Sequence, residues 1–450
     1  MGIWTILPPI LAIIIAMWKR EVILSLVVAI FCSEVLIHGF NVGLGFLGTL
    51  ERITAVFEDS ANTRILLFSL LIGALLSLVR HSGGVAGFVN WLIGKKWVET
   101  PRQVGLLTAT TGVLIFIETN LSILTAGILS QNLFDHFKMS RARLAYIIDS
   151  TCAPVSVLLL LNAWGAYILG LLNGYGLKNP VQTMLYSIPL NIYAITTLVL
   201  VFFTAWSNRV FFSMATQERT QAPLKYDADE IEATQSRFFI LPIFLLIASI
   251  IGFMFYTGHG NLIEGSGSKA VLWSTALALL FSYILLQSHK RFDHQQLMKL
   301  SFKGMAELLP LVSTVLLALA LGASMKALGT GTFVASIVSD SMPNWLIAPA
   351  IFLTASIISF STGTSWGTYG ILIPIAIPIA MTTGLAPSLL LAAVLGGGVF
   401  GDHCSPISDT TIIASLAAGC DHLDHVKTQL PYALLAALVS LVTYVLLSLG

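Results

Sequence analysis

Long apolar runs alternate along this chain with short polar clusters, and the run lengths set what each run can be. Ile6–Trp18, Val22–Gly39 and Ile65–Val79 predict three membrane helices, with 40–63 an amphipathic connection. Arg80-His-Ser-Gly-Gly84 ends the third, and 85–103 reads as an interfacial helix. Two apolar arms, Val104–Ile117 and Leu121–Phe134, flank the polar triplet Glu118-Thr-Asn120. Leu144–Leu172 is long and apolar but is interrupted by Asp149-Ser-Thr-Cys-Ala-Pro154, and Met184–Trp206 follows. Residues 207–237 are the one long polar stretch, and we read them as a cytoplasmic linker. Further spans fall near 238–256, 270–287 and 308–325. Then come Trp345–Phe360, the cluster Ser361–Ser365, an apolar arm to Ala380, Leu389–Phe400, Ile412–Ala418 and Tyr432–Leu449.

The most unusual stretch is Gly396-Gly-Gly-Val-Phe-Gly-Asp-His-Cys-Ser-Pro-Ile-Ser-Asp-Thr-Thr411. It gathers two carboxylates, an imidazole, several hydroxyls, four glycines and a proline. A buried helix does not favour that composition, and Pro406 breaks the helical hydrogen-bond ladder. In a bilayer, broken backbone is tolerated only where protein or a watery cavity surrounds it. Ionisable groups at that depth are costly and usually functional.

The two halves resemble each other. Thr119-Asn-Leu-Ser122 with Gly127-Ile-Leu129 matches Thr362-Gly-Thr-Ser365 with Gly370-Ile-Leu372. Cys152-Ala-Pro-Val-Ser156 matches Cys404-Ser-Pro-Ile-Ser408, and Gly84 with Phe88-Val89 matches Gly329 with Phe333-Val334. The offsets are about 243–252 residues and keep their order. Lys and Arg crowd loops 80–103 and 138–143, whereas the equivalent loops 328–343 and 381–388 have none. Cytoplasmic loops carry the excess of Lys and Arg. The second half (238–450) is therefore expected upside down relative to the first (1–206), with 207–237 between them and both termini outside. Arms 104–117 and 121–134, with positive charge at both ends, form either two full spans or a re-entrant hairpin, and their short length favours the hairpin. Ser361–Ser365 would tip a second hairpin from the other side. Two tips and two broken helices, 149–156 and 401–411, would then meet near the midplane.

Composition sharpens the class. The chain has 450 residues, is 56% hydrophobic and 10% charged, and has a mean hydropathy of +0.87. A soluble domain carries roughly a quarter charged residues. We therefore expect an all-α polytopic membrane protein, an inverted-repeat secondary transporter with about 11–13 membrane segments. Net charge near +1 argues neither for nor against a charged partner, and no nucleic-acid partner is expected. The four scattered cysteines suggest neither a zinc site nor a disulfide framework. Lys19-Arg20 follows the first apolar run instead of preceding it, so that run is expected to be a retained helix and not a signal peptide. HExxH is absent, and Gly398-Val-Phe-Gly-Asp402 has the wrong spacing for an intramembrane aspartyl protease. No enzyme is expected, and no cofactor.

Gly397–Thr411 resembles the signature of the NhaC-type sodium:proton antiporters, within the broader ion transporter superfamily. Thr362-Gly-Thr-Ser-Trp-Gly367 resembles a second motif of that family, and Glu118-Thr-Asn120 with Asp149–Pro154 supports it. The resemblance covers roughly residues 60–430. It implies a multi-pass transporter of the bacterial cytoplasmic membrane with a hairpin-containing fold. It leaves the substrate open, because the family includes sodium-coupled exchangers of malate and lactate and members assigned to lysine, methionine or tyrosine.

Sodium takes oxygen ligands: carboxylates, hydroxyls and free carbonyls. Asp149, Ser150 and Thr151 facing Glu118, Thr119, Asn120 and Ser122 form one candidate cage. Asp402, Ser405, Ser408, Asp409 and Thr410 facing Thr362, Thr364 and Ser365 form the other. Asp149, Asn120, Asp402 and Asp409 are the sodium candidates. The bland alternative is that these hydroxyls and amides cap broken helix ends. A carboxylate taken out of water holds a proton more readily, and sodium competes with that proton. His403 is a candidate proton sensor. Glu34 is expected to snorkel outward, Arg80 and Lys326 to anchor helix ends, and Asp421-His-Leu-Asp-His425 to be a solvated connection. Sodium:proton antiport is the first reading, and sodium-coupled movement of an amino or hydroxy acid the second. The expected partners are the lipid bilayer, sodium, protons and at most a small organic solute. Oligomeric state stays open, a homodimer included.

Overall fold

A computed structural model describes residues 2–19, 21–94, 99–116, 119–159, 162–220, 233–261 and 264–449. Helices account for the fold; no strand occurs among the described residues. Among the described residues, eleven helical segments are long and apolar enough to cross a membrane. The protein is a multi-pass, all-α membrane protein.

The order of elements in the first half recurs in the second. Leu7–Lys19, Val22–Ile37, Val42–Ala55, Ser60–His81 and Gly84–Gly94 lead to a helix pair, Pro101–Leu114 and Thr119–His136. A broken helix, Arg141–Ser150 and Ala153–Leu158, follows, and Ile192–Ser207 comes later. In the same order come Arg237–Thr257, Gly267–Ser288, His294–Glu307, Leu309–Leu328 and Thr330–Ser341. The pair Asn344–Thr362 and Ser365–Thr383, the broken helix Pro387–Cys404 and Asp409–Ala418, and His422–Leu449 complete the series. Ala163–Asn173 and Pro180–Ser187 are extra to the first half. Packing is reciprocal: Val22–Ile37 lies on Leu309–Leu328, and Gly267–Ser288 lies on Ser60–His81.

Small residues set how closely these helices approach, as expected where lipid gives no hydrophobic drive to associate. A Cβ built on Gly73 would overlap the Gly304 carbonyl oxygen, so the amphipathic helix His294–Glu307 meets Ser60–His81 backbone to backbone. The glycine-rich run before Asp402 works the same way. Cβ atoms on Gly397 and Gly401 would overlap the Phe352 carbonyl oxygen and the Phe360 nitrogen. Residues 396–404 are thus helical and, apart from half-buried Phe400, buried, against the expectation that this composition avoids a buried helix. The glycines serve close approach, and the helix stops only at Ser405, ahead of Pro406.

Both helix breaks fall where the sequence places them, at 151–152 and 405–408. Asn344–Thr362 and Ser365–Thr383 have 19 residues each, a length that suits a span. Glu34 does not snorkel. It is 1% exposed and accepts from Arg52 Nε and Ser324 Oγ, both at 2.7 Å. Part of the polar stretch 207–237 is helical, Phe212–Thr220, and it docks on the C-terminal helix. There the Phe211 N–H donates to Tyr432 OH at 2.6 Å and Ser213 Oγ to the Lys427 carbonyl at 2.9 Å. Residues 221–232 lie outside the described residues.

Candidate functional site

The second helix break builds a small hydroxyl cage around one carboxylate. Asp402, 3% exposed, stands in the last turn before the break. Ser365, at the start of the facing helix, donates its hydroxyl to Asp402 Oδ2 at 2.6 Å. Ser408, beyond the break, donates to Oδ1 at 2.8 Å and shares a 3.0 Å hydrogen bond with Thr410. The tight turn at Gly363, with φ of +69°, packs directly against the Ile407 backbone, two residues ahead of Ser365. Asp409 begins the next helix, and its carboxylate accepts from the Thr410 N–H at 2.9 Å. Acidic groups are favoured at helix N-termini.

A second carboxylate, Asp149, is fully buried at the first break. Its Oδ2 accepts from Gln429 Nε2 at 2.8 Å and lies 3.6 Å from His425 Nε2. The same Gln429 nitrogen reaches the carbonyl of His403, next to Asp402. Gln429 Oε1 is 2.7 Å from His425 Nε2, and His425 Nδ1 is 2.9 Å from Ser415 Oγ. The His403 ring is held between Ser150 Oγ and Tyr193 OH, each at 2.9 Å. The two breaks are thereby joined twice, by Gln429 and by the His403 ring.

Asp402 and Asp409 both line a cavity of about 510 Å³. Thr119, Thr364 and Thr410 share its wall, Trp164 and Trp366 form an aromatic side, and Glu21 and Glu307 lie along it. Glu307 is paired with Arg80 at 2.8 Å. Among the described residues no group of three or more His, Cys, Asp or Glu side chains is placed to hold a metal. A cation here would take most of its ligands from hydroxyls and carbonyls.

The sequence-derived residues fall into three groups. Asp402, Ser365, Ser408, Asp409 and Thr410 come together, with Thr364 and Thr119 on the same cavity. Asp149, Ser150 and His403 also come together, but not with the hydroxyls of the first helix pair. There Thr151 Oγ1 donates to the Ile147 carbonyl and Ser122 Oγ to the Gly112 carbonyl. Asp149 finds its donor on the C-terminal helix instead. The Thr362 and Ser405 hydroxyls likewise serve backbone carbonyls, of Ile358 and Phe360. Glu118 and the Asn120 side chain lie outside the described residues. Sequence reading missed Gln429, His425 and Tyr193. His425 is fully buried, not part of a solvated connection. Two polar residues one turn apart in an apolar span mark a polar face turned inward, and that signal was available for His425 and Gln429. Tyr193 carries no such signal.

A family model described as the Na+/H+ antiporter family matches residues 155–449. The chain belongs to the Na+/H+ antiporter family. An uncharacterised protein of Haemophilus influenzae is 32% identical to it over 99% of this chain and 90% of its own length. The Na+/H+ antiporter NhaC of Alkalihalophilus pseudofirmus is 36% identical over 85 residues, 19% of this chain and 18% of its own length. These bear out the resemblance drawn from Gly397–Thr411. Among solved structures, the YdaH transporter of Alcanivorax borkumensis superposes with a TM-score of 0.62 at 14% identity, covering 89% of this chain and 88% of that one. That likeness is one of fold.

Proposed function

We propose that this antiporter-family member exchanges sodium for protons across a bacterial inner membrane, with Asp402 and Asp409 as the groups for which the two cations compete. The observation that carries this reading is the cavity that reaches both carboxylates, one of them caged by Ser365 and Ser408. A carboxylate with hydroxyl oxygens around it suits a hard cation, and the same carboxylate emptied of sodium takes a proton. Asp149, further in, joins through Gln429 to the carbonyl beside Asp402, so a change at one break is felt at the other. We read the recurring element order as two inverted halves, with 207–237 linking them on the cytoplasmic side. On that reading the Glu21–Glu307 end of the cavity faces the cytoplasm, and the protein is in an inward-open state. Alternating access then consists of moving the tips and broken helices from one face to the other.

The test is transport in liposomes holding a pH-sensitive dye, with the membrane potential clamped. Sodium added outside is expected to give a prompt, protein-dependent pH change without any organic solute. Asp402→Asn and Asp409→Asn are each expected to lower the rate at least about 100-fold while the protein stays folded in the membrane. Wild-type rates in both variants would overturn the site. A pH change that required an added amino or hydroxy acid would move the function to solute coupling.

A further inference from the structure

The cavity is far larger than a sodium ion needs. Its 510 Å³ falls within the range of about 300–1,000 Å³ typical of sites for small organic ligands. Its lining has a consistent chemistry. Four carboxylates face it, from Asp402, Asp409, Glu21 and Glu307, and no Lys or Arg lines it among the described residues. Arg80 pairs with Glu307, leaving the other three acids without a cationic partner in the wall. One side is aromatic: the Trp366 ring is stacked on Tyr167 at 5.0 Å, and Trp164 meets it edge-on at 5.6 Å. A sodium ion with its oxygen ligands makes no use of indole faces. An organic cation does, because the face of Trp attracts a weakly hydrated ammonium group.

We propose that the cavity is also a binding site for organic ammonium compounds, quaternary ones included, which sit between the Trp366–Trp164 wall and the Asp402–Asp409 floor and compete with sodium. The acidic lining turns away anionic solutes, and the aromatic wall separates organic cations from alkali ions of the same charge. The proposal goes beyond cation:proton exchange but shares its carboxylates.

The probe is choline, which carries a fixed charge and no exchangeable proton on nitrogen, with 3,3-dimethylbutan-1-ol as its neutral isostere. In proteoliposomes, choline is expected to raise the sodium concentration for half-maximal radioactive sodium uptake without lowering the maximal rate. The isostere is expected to do nothing. Trp366→Leu should weaken choline inhibition by about tenfold while Trp366→Phe retains most of it. Equal inhibition by choline and its isostere, or inhibition unchanged in Trp366→Leu, would overturn the proposal. If Trp366→Leu does not fold, choline quenching of wild-type tryptophan fluorescence, reversed by sodium, tests the same site, and absence of quenching overturns it. Choline binding in a protein that moves no protons would sink the exchange reading alone. Exchange that ignores choline would sink this one alone.

Discussion

Gln429 has two acceptors for one amide nitrogen, the Asp149 carboxylate and the His403 carbonyl, and those acceptors belong to different broken helices. Replacing it by leucine keeps the bulk and removes both donors. An unsatisfied buried acceptor costs about 1–3 kcal/mol. Gln429→Leu is therefore expected to melt several degrees lower in detergent and to slow exchange. Gln429→Glu, which brings a second carboxylate up to Asp149, should do worse at neutral pH. Wild-type melting and transport in Gln429→Leu would show that this bridge is incidental. Much at this scale was legible in the sequence. Asp402, Ser365 and Ser408 stand out as polar residues in apolar surroundings, and they meet. Tyr193 did not stand out, because its partner His403 is 210 positions away along the chain, and only the fold shows that Gln429 faces Asp149, 280 positions away. Thr151 and Thr362 were over-read: a hydroxyl in a helix readily returns to the carbonyl one turn back, and both do.

At the scale of elements, the helix Pro387–Cys404 is seated on Asn344–Thr362 through its glycines. At Gly401 a Cβ would collide with the Phe360 backbone nitrogen, and backbone cannot swing aside as a side chain can. Gly401→Val is expected to lower stability by about 1–3 kcal/mol or to abolish folded protein. Gly252→Ala, where nothing lies within 4 Å of the new atom, should be neutral to stabilising. Thermal unfolding of the two purified variants in detergent checks this pair, and equal melting would contradict close packing at Gly401. The helix breaks were legible because Pro154, Pro406 and their polar neighbours leave few other conformations. The helical character of 396–404 was not. Glycine in sequence signals either a turn or a close approach, and only the position of the neighbouring helix decides between them.

For the whole molecule, two halves with the same element order enclose one acidic cavity, and in the proposed exchange sodium and protons are rivals for its carboxylates. The sign of the pH effect follows. Acidification fills the carboxylates with protons, so half-maximal exchange should need more sodium as pH falls, approaching about tenfold per pH unit for a single shared proton. A sodium requirement that stayed flat with pH would mean that the two ions use separate groups. The recurring order of elements was legible from the repeated motifs. The reciprocal packing of Val22–Ile37 and Gly267–Ser288 on the opposite halves was not, since no local pattern encodes which helix meets which. The most direct measurement of the shared-carboxylate claim is calorimetric titration of sodium into the purified protein, repeated in buffers of different ionisation enthalpy so that released protons are counted. Sodium binding is expected to expel protons, and Asp402→Asn to abolish both the binding and the release. Sodium binding without proton release, or binding intact in Asp402→Asn, would contradict it.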